Sequence, residues 1–179
     1  MQYLHLTLSG VLQSYGGVDS NWVEVRNTEM HPTASTVAGL LACALGIKKG
    51  TEAYDWLLTL DYRTSHLPMA RILDDYQMVY PKEPKKLSKE SKMRKINGAV
   101  HSSQTGQRPI HKMYLADAVF HVYVGCEDVS RLREIHAALR NPKWVYYLGR
   151  ACCTPSREIV PAEFRTCAPE MLSEVYPCI

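Results

Sequence analysis

The chain has 179 residues, 46% of them apolar, and 21 Lys and Arg against 18 Asp and Glu, for a net charge of +3 with His neutral. That size fits one compact domain, since ~150 residues suffice to bury ~70% of the unfolded surface; with no apolar run near the ~20 residues of a membrane span and no signal-peptide pattern, a soluble, cytoplasmic protein is expected. The average hides an asymmetry, because Pro81–Lys112 carries nine bases and two acids, +7, while the other 147 residues carry 12 bases and 16 acids, −4: a local polyanion contact and not a uniformly basic coat.

Gln2–Leu8 alternates, with Leu4, Leu6 and Leu8 on one face and Tyr3, His5 and Thr7 on the other, which predicts a half-buried strand. A loop with Gly10, Gly16 and Gly17 leads to a short strand at Trp22–Arg26. The stretch His31–Gly46 predicts a helix: Pro32 precedes it, Thr33 or Ser35 can cap it and Gly46 ends it. Val37, Leu40, Leu41, Ala44 and Leu45 form its core stripe, while Gly39, Ala42 and Cys43 leave another face small enough for close packing. A second helix is expected from Thr51 to about Leu60, then extended stretches at Asp61–Leu67 and Arg71–Tyr80. The basic segment follows with almost no apolar periodicity. Tyr114–Val124 reads as one strand with Ala116, Ala118, Phe120, Val122 and Val124 inward, and Asp128–Arg140 as a helix that Asn141-Pro142 stops. A last strand is expected near Arg157–Val160.

This order, βαββαβ, predicts an α+β, ferredoxin-like (RRM-like) sandwich over residues 1–179, with a basic β-hairpin inserted at 71–113 between the second and third core strands.

The run KKLSKESKMRK suits a solvated polar loop as well as a polyanion contact. The stretch after it mixes small residues with His101, Gln104, Gln107, Arg108 and His111, which can approach a phosphodiester backbone and bond to it or to base edges. A helix starting at Thr33 offers unpaired N–H groups and the Thr33, Ser35 and Thr36 hydroxyls to an anion, and equally to its own cap. Arg150, after Gly149 in a turn, suits a bidentate phosphate contact or a plain surface position. His111-Lys112, with His101 upstream, admits a metal-independent ribonuclease, in which a base takes the 2′-hydroxyl proton and a cation stabilises the phosphorane. Tyr3, His5, His121 and Tyr123 could line an open sheet face, although no RNP1 pattern accompanies them. The six cysteines include no CxxC pair, and the adjacent Cys152 and Cys153 suit neither a zinc knuckle nor an easy disulfide, so reduced thiols are expected. No Walker A, GxGxxG or HExxH pattern occurs; no metal or cofactor is expected.

Four stretches carry a family resemblance: Leu6–Gly16 (LTLSGVLQSYG), Pro32–Leu41 (PTASTVAGLL), Tyr114–Ala118 (YLADA) and Tyr147–Pro155 (YLGRACCTP). In this order, and across most of the chain, they resemble the CasD family, a subunit of the type I-E CRISPR Cascade within the RAMP superfamily. The resemblance implies a ferredoxin-like domain with a basic hairpin thumb, present once per complex, that holds the 5′ handle of the crRNA without cleaving it. It further implies that the subunit caps one end of the CasC backbone, contacts the large CasA subunit and meets target DNA only indirectly. Carried onto this sequence, the RNA-contacting set is Gln13, Ser14 and Tyr15, the helix start at Thr33, Ser35 and Thr36, the thumb between about Tyr80 and Lys112, with Lys92, Arg94, Lys95, His101, Gln104, Arg108 and Lys112, and Arg150; Arg26, at the end of the expected short strand, is a further RNA-binding candidate. Many relatives have Lys or Arg where this chain has Ala34, so a phosphate there would rest on backbone N–H groups. The common LQSWG is LQSYG here, and Tyr15 would keep a stacking ring.

Overall fold

The computed structural model describes residues 1–16, 25–65, 70–79, 108–172 and 175–178. Strand β1 spans Gln2–Ser9, β2 Leu12–Gln13 and β3 Val25–Arg26; helix α1 spans Ala34–Leu45 and α2 Glu52–Leu58. Strands β4 (Asp61–Ser65), β5 (Arg71–Val79), β6 (Arg108–Ala116) and β7 (Val119–Cys126) follow, then α3 (Val129–Arg140), β8 (Thr166–Cys167) and β9 (Val175–Pro177). The main sheet runs β8-β1-β7-β4-β9. Its first four strands, numbered among themselves along the chain, stand in the order 4-1-3-2 of the ferredoxin-like sandwich, and α1 and α3 pack together over one face.

Period-two alternation builds the core. Leu4, Leu6 and Leu8 stand opposite Val124, Val122 and Phe120 in the β1–β7 ladder, and all six are buried against Val37 and Leu41 of α1 and Leu132 and Ile135 of α3. The helix ends follow local chemistry. Thr33 caps α1 by accepting the Thr36 N–H, and Gly46 closes it at φ 72°, with the Ile47 N–H donating back to the Ala42 carbonyl at 2.8 Å. Thr51 and Asp128 cap α2 and α3 in the same way.

The second layer is the inserted hairpin. β5 and β6 pair antiparallel from Arg71↔Ala116 to Val79↔Arg108. β5 occupies one edge of β6 over its whole length, so β2 (Gln13↔Leu115) and β3 (Arg26↔Lys112) share the other edge end to end.

Two expectations need correction. The stretch Tyr114–Val124 is not one strand: Asp117 takes a left-handed φ of 55°, donates its N–H to the Val11 carbonyl at 3.0 Å, and passes the chain from the hairpin layer to the main sheet. Asp tolerates this conformation, so hydropathy alone does not reveal the break. The stretch Arg157–Val160 is not a strand either. Ile159 and Val160 are buried and the Ile159 carbonyl accepts the Thr7 N–H, but the fourth sandwich strand is β8, seven residues downstream of Ile159 and pairing with β1 at Tyr3↔Cys167.

On the sheet face opposite the helices, His5 Nε2 and His121 Nδ1 lie 2.9 Å apart, and the His5 ring stacks on Tyr123 with centroids 5.0 Å apart. Burial first, and the His121 charge second, hold His5 below the ordinary histidine value of 6.5. The folded state therefore binds fewer protons there than the unfolded chain, so this contribution to stability is present above pH 6.5 and lost as pH falls below it. Thermal midpoints measured across that range should fall toward acid, and His5→Gln should flatten the slope; an unchanged slope would place the dependence elsewhere.

Candidate nucleic-acid interface

A cleft of about 490 Å³ opens between the start of α1, the β2–β3 edge and the 147–150 turn, lined by Ser14, Arg26, Ser35, Thr36, Tyr147 and Arg150 among others. Among the described residues, no acidic one is in its lining.

Its architecture rests on Gly149. This residue has φ 100°, and a Cβ built on it would stand 1.6 Å from the Ser14 carbonyl oxygen, so only glycine lets the two backbones meet. Beside that contact the Ser14 N–H donates to the Leu148 carbonyl at 3.0 Å. Arg150 is thereby aimed across the hairpin layer. Its Nη1 donates to the Met113 carbonyl of β6 at 3.0 Å, its Nη2 donates to the Arg26 carbonyl of β3 at 2.8 Å, and its guanidinium lies over the Tyr114 ring, 4.7 Å from the centroid. Arg150 is a strap as well as a charge.

At the opposite wall the Thr33 hydroxyl lies 2.7 Å from that of Thr36 and 3.2 Å from that of Ser35. These hydroxyls gather at the positive end of the α1 dipole, beside N–H groups that have no partner within the helix. Strand alternation brings further charge to the same side. Arg26 and Lys112 are register partners, and Lys112 shares a face of β6 with Tyr114, on which Arg150 rests. Lys112 Nζ donates to Gln77 Oε1 at 2.7 Å, while the Arg26 side chain forms no ion pair among the described residues. His111 points to the other face, where its Nδ1 lies 3.0 Å from Asp74 Oδ2.

Ser14, Arg26, Ser35, Thr36 and Arg150 thus line one cleft, with Thr33 at its rim and Lys112 beside it. The side chains of Gln13 and Tyr15 do not join them. Tyr15 is 1% exposed, its hydroxyl donates to Gln13 Oε1, its ring meets Phe120 edge-on, and burial pushes its hydroxyl far above the ordinary tyrosine range. Gln13 Nε2 in turn donates to the Ala118 carbonyl at 2.5 Å. The ring expected to stack on a ligand is a core residue, and the pair anchors the loop from inside. Arg108 begins β6 opposite Val79. Lys92, Arg94, Lys95, His101 and Gln104, with most of the basic segment, lie outside the described residues.

Asn27, Gly39, Leu40, Cys43 and Tyr147 also line the cleft without having been expected there, alongside Gly16 and Gly149 of the two loops. Gly39 and Cys43, read as a face for close packing, instead leave the cleft floor open: a Cβ on Gly39 would meet nothing within 4 Å. Gly149→Ala should lower stability by about 3 kcal/mol, from combined strain and overlap, whereas Gly39→Ala should be neutral or raise it by up to ~1 kcal/mol through helix propensity. Urea midpoints of the two variants check the contrast; equal midpoints would contradict the backbone contact.

A family model described as "CRISPR-associated protein (Cas_Cas5)" matches residues 3–177. Among solved structures, the chain is similar to a chain of a "CRISPR RNA-guided surveillance complex", with a TM-score of 0.71 and 27% identity over 88% of this chain and 61% of that one. It is also similar to a chain titled "Crystal structure of Cas protein", with a TM-score of 0.60 and 27% identity over 93% of this chain and 66% of that one. The chain therefore spans somewhat under two thirds of the length of these solved chains. No curated protein matches it significantly. With nearly its whole length matched by the family model and its fold shared with a surveillance-complex chain, this protein belongs to the CRISPR-associated Cas5 family.

Proposed function

We propose that this chain is the CasD-type subunit of a type I-E Cascade: a non-catalytic, cytoplasmic, cofactor-free protein, present once per complex, that holds the 5′ handle of the crRNA and caps one end of the CasC backbone. The observation that carries the reading is the cleft itself, where the start of α1 with its Ser35 and Thr36 hydroxyls and the charges of Arg26 and Arg150 converge, with no acid in the lining among the described residues. Such a surface fits the phosphates of a single strand, and Lys112 of β6 stands beside it as the register partner of Arg26. The four sequence stretches that resemble CasD point the same way, since three of them meet at this cleft: the LQSYG loop, the helix start and the YLGR turn.

The hairpin's other face supports assembly with protein. Ile72 and Tyr76 are 55% and 56% exposed there, with Met78 and Val25 beside them, an apolar surface that a free monomer seldom carries. In this reading the basic face meets RNA, and the apolar face meets neighbouring subunits, CasC and CasA. Target DNA is then met only through the guide.

Ribonuclease action by His111 with Lys112 fits less well, since neighbouring strand residues point to opposite faces and His111 is paired with Asp74. Labelled repeat RNA incubated with the protein in EDTA should stay intact; cleavage abolished by His111→Ala would overturn the non-catalytic assignment. Arg26→Gln and Lys112→Gln should each reduce the log–log salt slope of handle-RNA binding by about 0.7, one phosphate contact apiece. An unchanged slope in both would remove the cleft from the RNA path.

A further inference from the structure

All six cysteines are free thiols, and Cys152 alone among them is exposed. Its Sγ lies 4.0 Å from that of the next residue, Cys153, whose side chain is fully buried. On its other side Cys152 Sγ lies 3.6 Å from the Tyr114 hydroxyl, and the Tyr114 ring carries the Arg150 guanidinium. The two thiols also sit in the turn that fixes the cleft, where the Leu148 N–H donates to the Cys153 carbonyl at 2.7 Å and the Cys153 N–H to the Arg150 carbonyl at 2.8 Å. Burial pushes the Cys153 thiol up to about 11, which leaves the exposed Cys152 as the point of entry for a reagent.

We propose that Cys152 and Cys153 form a reversible thiol–disulfide modification site, which closes a vicinal disulfide on reaction with a low-molecular-weight disulfide and so loosens the Arg150 strap. The Cys152 sulfur attacks one sulfur of the reagent, whose S–S bond breaks; one half leaves as a thiol with the Cys152 proton. The Cys153 sulfur then attacks the Cys152 sulfur, and the second half leaves as a thiol with the Cys153 proton. Two protein thiols are oxidised by two electrons, and the reagent is reduced to two thiols. Adjacent Cα atoms stand about 3.8 Å apart, short of the ~4.4–6.8 Å of ordinary disulfides, so the bond is strained and readily reduced, as a reversible mark requires. Drawing the sulfurs together from 4.0 Å reorients the 152–153 peptide, and that pair's two hydrogen bonds hold the turn carrying Gly149 and Arg150.

The consequence for RNA rests on the handle-binding reading; the modification does not. The full chain, free and bound to handle RNA, is treated with oxidised glutathione, its remaining thiols are alkylated, and its peptides are weighed. The peptide holding both cysteines should be lighter by two hydrogens, take no alkyl group and revert with dithiothreitol, while RNA affinity falls about tenfold. Cys152→Ser should abolish both effects, and Cys153→Ser should stop at a mixed disulfide on Cys152. A peptide that stays fully alkylatable, an affinity loss that persists in Cys152→Ser, or a vicinal disulfide that leaves affinity unchanged would each overturn the proposal. Reduced protein that binds no RNA would instead sink the handle-binding reading, with the disulfide mapping still deciding the modification.

Discussion

A backbone-on-backbone contact holds the cleft together. Gly149 lies against the Ser14 carbonyl where any Cβ would overlap it, and this closeness allows the Ser14 N–H to reach the Leu148 carbonyl. From that fixed point Arg150 reaches carbonyls of β6 and β3. β3 is only two residues long and has little ladder of its own, so it depends on this strap; charge-assisted bonds of this kind are worth roughly twice a neutral one. Loss of the glycine would move the cation, the short strand and the wall of the cleft together.

A period of two gives the inserted hairpin two unlike faces. On one face stand Lys112 and Tyr114 with their register partners Asp75 and Leu73, joined by Arg26 from β3 and capped by Arg150; on the other stand Ile72, Tyr76 and Met78 with the His111–Asp74 pair. A one-residue slip of β5 against β6 would exchange these faces. The side-chain bond from Lys112 to Gln77 and the pairing of His111 with Asp74 each lie on a single face, and both favour the observed register.

Much of the fold was legible in local signals. The alternation of Leu4, Leu6 and Leu8, the Thr33 cap with its Gly46 stop, and the Asn141-Pro142 stop are features of neighbouring residues, and they placed β1, α1 and the end of α3. The short C-terminal strands were not legible, because β8 and β9 have two and three residues and owe their form to partners more than 100 residues away. The Asp117 break was hidden for a similar reason, since its carbonyl partner, Val11, is remote in sequence. In the site, residue types pointed to Ser35, Thr36 and Arg150, and Arg26 was named without a chemical signal of its own, but only the tertiary fold sets them around one cleft. It also turns the Tyr15 ring inward, which no local pattern distinguishes from an exposed stacking residue.

The central claim is that RNA lies in the cleft between the α1 start, the 147–150 turn and the basic face of the hairpin. Amide hydrogen exchange, read by mass spectrometry with and without a single-stranded handle RNA, tests it most directly. The account predicts protection at Ser14–Gly16, Arg26–Thr36 and Tyr147–Cys153, with α2 and α3 unchanged. Protection confined to α2, α3 or the open sheet face around His5 and His121 would contradict it.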